Sequence, residues 1–301
     1  MIRVEAWTER MGRLVAADAG VEAIATGCLF TEGPLWVPAE EALWWSDLEG
    51  DVRRRWTRGG GVEERLRPSN RTNGTTLDGA GRQVVCEHST STLARLEHDG
   101  TRTVLASHWD GRELNSPNDV VLRSDGQVYF SDPPYGRGPV HGVERDRELA
   151  FCGVYRLDAA GVLHLEADDL PTPNGLAFSP DERVLYVSDT TAMHVRRFDV
   201  AADGALSGGE VFFAWPGPPD YGAGVPDGLK LDAEGNVWCT GPGGVTVIAP
   251  DGEALGRLAS DETVANLAWG EDWRSLFLTA TGTVWRVRTL VAGWRTPFFG
   301  G

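Results

Sequence analysis

An all-β, six-bladed propeller with four-stranded blades around a central channel is the fold this sequence predicts, and three observations carry its architecture. Six short apolar runs recur along the chain, each is preceded by a second short strand with one kind of opening, and strong helical periodicity is absent. The runs are "ALWWSD" (42–47), "RQVVCE" (82–87), "QVYFSD" (127–132), "RVLYVSD" (183–189), "NVWCTG" (236–241) and "SLFLTA" (275–280). They return at intervals of about 40 to 57 residues, close to the span of one four-stranded blade. A sandwich or barrel has no need of sixfold self-similarity at that period.

In chain order, the strands before these runs open as "TEGPLWV", "TNGTTLD", "SPNDVVL", "TPNGLAF", "VPDGLKL" and "VANLAWG". Four of the middle strands follow a polar turn, as in "LDGAGRQ", "RSDGQ", "SPDERV" and "DAEGN", which suits antiparallel neighbours. A third strand follows, for example "GVYRLDAAG" (153–161) and "HVRRFDVAADG" (194–204). The last unit supplies three clear strands, around 266–269, 276–279 and 284–288. The apolar stretch at about 21–26 is expected to be its fourth, so that the start of the chain closes the ring and hides sheet edges. Residues 1–301 then form a single propeller domain. The third unit is long, with its excess in "PPYGRGPVHGVERDRELAF" (133–151), and "AWPGPPDYGAG" (214–224) precedes the fifth opening. Loops of this length are often functional.

With 41% hydrophobic residues and 12 Trp, core material is ample. The chain carries 44 acidic against 28 basic side chains, a formal charge of −16, with no Lys/Arg run longer than the three of Arg53–Arg55. Nucleic acid and anionic membranes need a basic footprint, so neither is an expected partner. The acidity suits a protein that holds cations, although a solvated surface accounts for most of it. Cys28, Cys86, Cys152 and Cys239 are scattered without a C-x-x-C, as expected of buried thiols in a reducing cytosol. The N-terminus has no long apolar segment, and no window approaches about 18 uninterrupted apolar residues, so a cytoplasmic location is expected.

Aligning the openings puts one polar residue at an equivalent place in every blade: Glu32, Asn73, Asn118, Asn174, Asp227 and Asn266. First strands line a propeller's channel, so these side chains should converge at one mouth of it. At any single position, Asx or Glu before Gly makes an ordinary turn. Six of six is a different matter, because turn chemistry would also admit Ser, Thr and Gly. Oxygen donors with two carboxylates and several amides are what a hard divalent cation requires. Ca²⁺ fits best, Mg²⁺ and Mn²⁺ remain open, and Zn²⁺ or Fe²⁺ is less expected because no His sits in the ring. A channel mouth also leaves coordination positions for water and substrate.

The motifs "FTEGPLW", "LNSPNDVVLRSDGQVYFSDPPYG", "PNGLAFSPDERVLYVSDT" and "PDGLKLDAEGNVW" resemble the SMP-30/gluconolactonase/regucalcin-like family, in its sugar-lactonase branch, with diisopropylfluorophosphatase a more distant relation. The resemblance runs from about Gly27 to Arg288. It implies a six-bladed propeller with one divalent metal in the channel, with Glu32, Asn174 and Asp227 as ligands. Asn118 is implied as a fourth ligand or a substrate-facing residue. Two departures stand out. "EHSTSTLAR" has Ser and Thr where bacterial lactonases carry an Arg-rich run, and Ser116 stands where the animal branch has Arg. Both remove cations near a substrate pocket.

The expected reaction is hydrolysis of a small sugar lactone to its aldonic acid, with the metal as Lewis acid and Asp227 as general base or water-positioning residue. A carboxylate on M²⁺ is a weak base, so the choice between those roles stays open. Asn73, His88, Asn118, Tyr135 and Asn266 are candidate substrate contacts; a packed aromatic and a strand histidine are equally good readings of Tyr135 and His88. His98, His108, His164 and His194 read as structural. No G-x-S-x-G or H-E-x-x-H is present. Two alternatives remain: phosphotriester (organophosphate) hydrolysis at the same metal, and a non-catalytic calcium-binding or interaction propeller. A monomer or small homo-oligomer is expected.

Overall fold

The computed structural model describes residues 1–216 and 222–295; part of the loop foreseen at 214–224 therefore lies outside the described residues. Six antiparallel sheets form a β-propeller, with blades at 31–66, 72–106, 120–167, 173–214, 229–260 and 264–288. Within each blade, consecutive strands pair in chain order from axis to rim. The first strands touch from blade to blade around the axis, and that of the sixth packs on that of the first.

Val21–Ala25 pairs with Thr283–Arg288 as the rim strand of the sixth blade, so the two ends of the chain close the ring. A further strand, Ile2–Ala6, adds to the rim of the fifth blade beside Ala254–Ser260. It is five residues long and outside the repeat, so no periodicity announces it. The helical turn Met11–Leu14 connects the two segments and buries Met11 and Leu14 between blades five and six.

The core is divided among the blade interfaces, because each sheet is apolar on both faces. Trp36, Trp45 and Phe277 join blades six and one; Phe130 and Val84 join two and three; Leu176 and Tyr129 join three and four. The interface of blades one and two is thinner in apolar groups, with Leu35, Val37 and Leu77. The buried Arg53 completes it, donating to Thr75 Oγ1 at 2.5 Å and Gln83 Oε1 at 2.9 Å. Among the described residues no helix is long and apolar enough to cross a membrane.

The glycines that follow the ring residues are set by close approach rather than by turns. A Cβ on Gly33 would lie 1.8 Å from the carbonyl oxygen of Asn73 in the next blade, and φ there is +52°. A Cβ on Gly228 would meet Asn266 Oδ1 at 2.1 Å. Inner strands can approach the axis this tightly only without a side chain. Gly33→Ala combines overpacking with a strained φ and should destabilise the fold by about 3 kcal/mol or more. Thermal melting checks this: an unchanged Tm would mean the strands can separate without loss.

Candidate active site

Four ring residues sit at or beside a register irregularity in their inner strand, at Glu32/Leu35, Thr72/Thr75, Pro173/Leu176 and Val264/Asn266. A bulge of this kind re-aims a side chain that strict alternation would send into the blade interface. Asn118 and Asp227 lie just before the short inner strands Val120–Leu122 and Leu229–Leu231.

The repeated Ser-Asp at the end of the second strands holds these positions. Asp47 accepts from the amides of Leu29 (2.9 Å) and Phe30 (3.1 Å), which lead into Glu32. Asp132 accepts from those of Asn115 (2.8 Å) and Ser116 (2.7 Å), which lead into Asn118. The serines reach the next blade: Ser131 Oγ donates to the carbonyl of Asn174, and Ser188 Oγ to that of Asp227, each at 2.6 Å. Glu32 and Asn118 are thus set from within their own blades, and Asn174 and Asp227 by a serine of the preceding one. Burial raises Asp132 to about 7, but both its oxygens serve backbone amides, so its role is structural.

Glu32, Asn73, Asn118, Asn174 and Asp227 converge on a cavity of about 190 Å³, with His88 and Tyr135 also on its wall. A chain of amides crosses the floor. Asn73 Nδ2 donates to Asn118 Oδ1 at 2.8 Å, Asn118 Nδ2 donates to Asn174 Oδ1, and Asn174 Nδ2 donates to Thr190 Oγ1 at 3.0 Å. Thr190 in turn donates to the carbonyl of Pro226 at 2.7 Å, beside Asp227. His88 Nδ1 lies 3.0 Å from the carbonyl of His141, which assigns the ring proton to Nδ1 and leaves Nε2 to accept from Asn73 Nδ2 at 3.3 Å. Burial lowers His88 to about 4, so the ring is neutral at physiological pH.

The two carboxylates are the electrostatic anomaly. Burial, then Asp119, raises Glu32 to about 7, even though Oε2 accepts from the Gly33 amide at 2.7 Å. Asp227 is raised well above the usual carboxylate range by burial and by the neighbouring Glu32. A buried pair of acids, both pushed upward and one of them by the other, lacks a positive charge between them. No three His, Cys, Asp or Glu side chains form a metal cage among the described residues. The donor set is instead two carboxylates with amide oxygens, the chemistry of a hard divalent cation.

The long third-blade loop forms the roof. Its turn Tyr135–Arg137 brings Tyr135 to the cavity, where burial raises its hydroxyl to about 12 despite Thr190 and Thr172 beside it. Ser116 is part of this construction rather than a gap in a cationic wall: its Oγ accepts from the Gly136 amide at 2.9 Å. Arginines tie the loop down. Arg137 donates to the carbonyl of Asn115 at 2.7 Å, Arg145 to Ser91 Oγ, and Arg71 to the carbonyl of Val140.

Asn266 departs from expectation. It does not line the cavity; it sits behind Glu32, hydrogen-bonded to it, with Oδ1 accepting from the Leu267 amide at 2.8 Å. The sixth blade therefore buttresses the site, because Asn266 fills the space left by Gly228. His141, Thr190 and Phe30 line the cavity without having been singled out, His141 with its ring 5.1 Å from that of Phe30. The loop at 133–151 was the available signal for His141; Thr190 lies one residue past a Ser-Asp and carries none. His98, His108, His164 and His194 lie outside the cavity.

The arrangement has close counterparts. The SMP-30/Gluconolactonase/LRE-like region matches residues 30–282. The gluconolactonase of Zymomonas mobilis is 32% identical over 97% of this chain and 87% of its own length. The pentonolactonase of Haloferax volcanii is 28% identical over 86% and 84%. The structure of a gluconolactonase from Xanthomonas campestris aligns with a TM-score of 0.88 and 34% identity, over 95% of this chain and 94% of that one. With the family's region matched over residues 30–282 and about a third of the residues shared with relatives over nearly the whole chain, this protein belongs to the SMP-30/gluconolactonase/LRE-like family.

Proposed function

We propose that the protein is a sugar lactonase whose centre is the Glu32–Asp227 pair, acting with a divalent cation, Ca²⁺ by ligand type. The observation that carries this reading is the buried, uncompensated carboxylate pair on the cavity wall, in a chain whose relatives include a gluconolactonase and a pentonolactonase. Glu32, Asn174 and Asp227 would hold the cation, with Asn118 as a fourth ligand or as a contact to the substrate. When bound, it would polarise the lactone carbonyl and stabilise the charge that develops on its oxygen.

The chain's own groups do the rest. Asp227 orients the attacking water, or takes its proton, as the water oxygen bonds to the carbonyl carbon. The ring C–O bond then breaks, and a proton returns to the released oxygen, leaving a hydroxy acid. Tyr135, fully protonated and on the cavity wall, is available to donate to a substrate oxygen. Asn73 holds Asn118 in place by donating to its Oδ1, and neutral His88, bonded to Asn73, lines the pocket beside it. The roof loop limits the substrate to a small molecule.

Acid release from glucono-1,5-lactone at constant pH tests this reading, with EDTA and then add-back of Ca²⁺, Mg²⁺, Mn²⁺, Zn²⁺ or Fe²⁺. The expected result is hydrolysis abolished by chelation and restored best by an oxygen-preferring cation. A rate that survives exhaustive chelation removes the cation from the mechanism. A chain inert to every lactone yet active on a phosphotriester run in parallel would reassign the substrate.

A further inference from the structure

One charged pair in the channel has no part in the steps above. The ring residue is followed by Gly in four blades and by Leu267 in the sixth, but by Asp119 in the third. Its side chain is 4% exposed; Oδ1 accepts from the Val120 amide at 2.9 Å, and Oδ2 has no hydrogen-bond partner among the described residues. The facing group is Lys230 Nζ, 3.7 Å from Oδ2.

Lys230 is out of character with its own level. Three places after the ring residues the other blades carry Leu35, Thr76, Val121, Ala177 and Trp269. With Lys230, these line a mostly apolar cavity of about 90 Å³ further along the channel. Glu182, the other charged residue on that wall, is bonded to Ser124. The ammonium donates to the carbonyl of Leu229 at 2.9 Å, and its charge acts on the acids one level above. Toward Glu32 and Asp227, Asp119 and Lys230 act with opposite sign.

We propose that Lys230 is a fixed counter-ion of the channel: paired with Asp119, it reduces the charge of three buried carboxylates, Glu32, Asp119 and Asp227, to what one divalent cation neutralises. Lys230 and Asp119 are positioning residues that set cation affinity without touching the cation or substrate. The inference rests on the cation reading given under the proposed function. One unit charge within roughly 10 Å of a buried divalent cation, at an effective dielectric near 20, shifts its binding by at least about tenfold.

Calorimetric titration of the metal-stripped protein with Ca²⁺, Mg²⁺ and Mn²⁺ tests it, with melting curves to show that each variant is folded. Asp119→Asn should weaken Kd by about tenfold or more, and Lys230→Met should tighten it by a similar factor. Lys230→Arg, which keeps the charge, should bind as the wild type does. If Lys230→Met and Asp119→Asn both weaken binding, or neither moves it, the pair is only structural and the counter-ion role is overturned. A wild type that takes up none of the three cations overturns the cation reading and this inference together.

Discussion

Asp227→Asn is expected to lower kcat for lactone hydrolysis by about 10²–10⁴-fold while leaving the fold intact. The backbone at this position does not depend on the carboxylate. The Asp227 amide donates to Thr240 Oγ1 at 3.1 Å, and its carbonyl accepts from Ser188 Oγ at 2.6 Å, so the substituted side chain occupies the same place. What changes is charge and basicity. The acid's pKa is raised by burial and by Glu32; a cation between the two would hold both ionised. The amide can neither accept a proton from water nor supply the second negative charge. Steady-state kinetics at saturating cation, alongside a melting curve, separate lost chemistry from lost structure. Near-normal turnover in the variant would show that water is activated elsewhere.

Glu32→Gln should have the other large effect, and its sign reverses with the cation. Without a cation, Glu32 titrates at about 7 against an ordinary 4.5, with burial the main cause. Between those values the folded state keeps a proton that the unfolded chain has released. That group's contribution therefore falls as pH rises through the window, by on the order of 3 kcal/mol once it is ionised. Glutamine carries no such penalty. In chelator at pH 8 the variant should melt above the wild type, with the gap narrowing toward pH 5. With saturating cation the order inverts, because the wild type gains binding energy that the variant has lost, and lactone turnover disappears with it. A chelated wild type that melts as high as Glu32→Gln at pH 8 would mean the carboxylate is already compensated by the protein.

Much of this was legible because a propeller repeats its instructions. The second-strand motifs and polar openings fall in the blades where they were read, and the ring residues Glu32, Asn73, Asn118, Asn174 and Asp227 share one cavity. Less legible was what depends on contacts between blades. "D-G" and "E-G" read locally as turns, yet Gly228 and Gly33 exist to admit the neighbouring strand. Asn266 matches the pattern but lies behind Glu32, because the first and sixth inner strands pack closely there. Asp119 was visible in "PND" without a reason to separate it from Asn118; only the meeting with Lys230, more than a hundred residues away, gives it one. The strand Ile2–Ala6 was hidden because its partner is the rim of a blade rather than a neighbour in sequence.

The way the ring closes also bears on how the chain reaches its native state. Val21 pairs with Val287, and Ile2 with Ser260, so the rims of the last two blades are completed by residues that lie well over two hundred positions earlier in the chain. During synthesis these two segments leave the ribosome with no sheet to join until nearly the whole chain has followed. Contacts of such sequence separation are slow to form, and unpaired strands exposed meanwhile invite association with other chains. Residues 1–25 are therefore the last piece placed, and a burst of expression at elevated temperature should find its aggregation-prone intermediate there, as four complete sheets and two still missing their outermost strands.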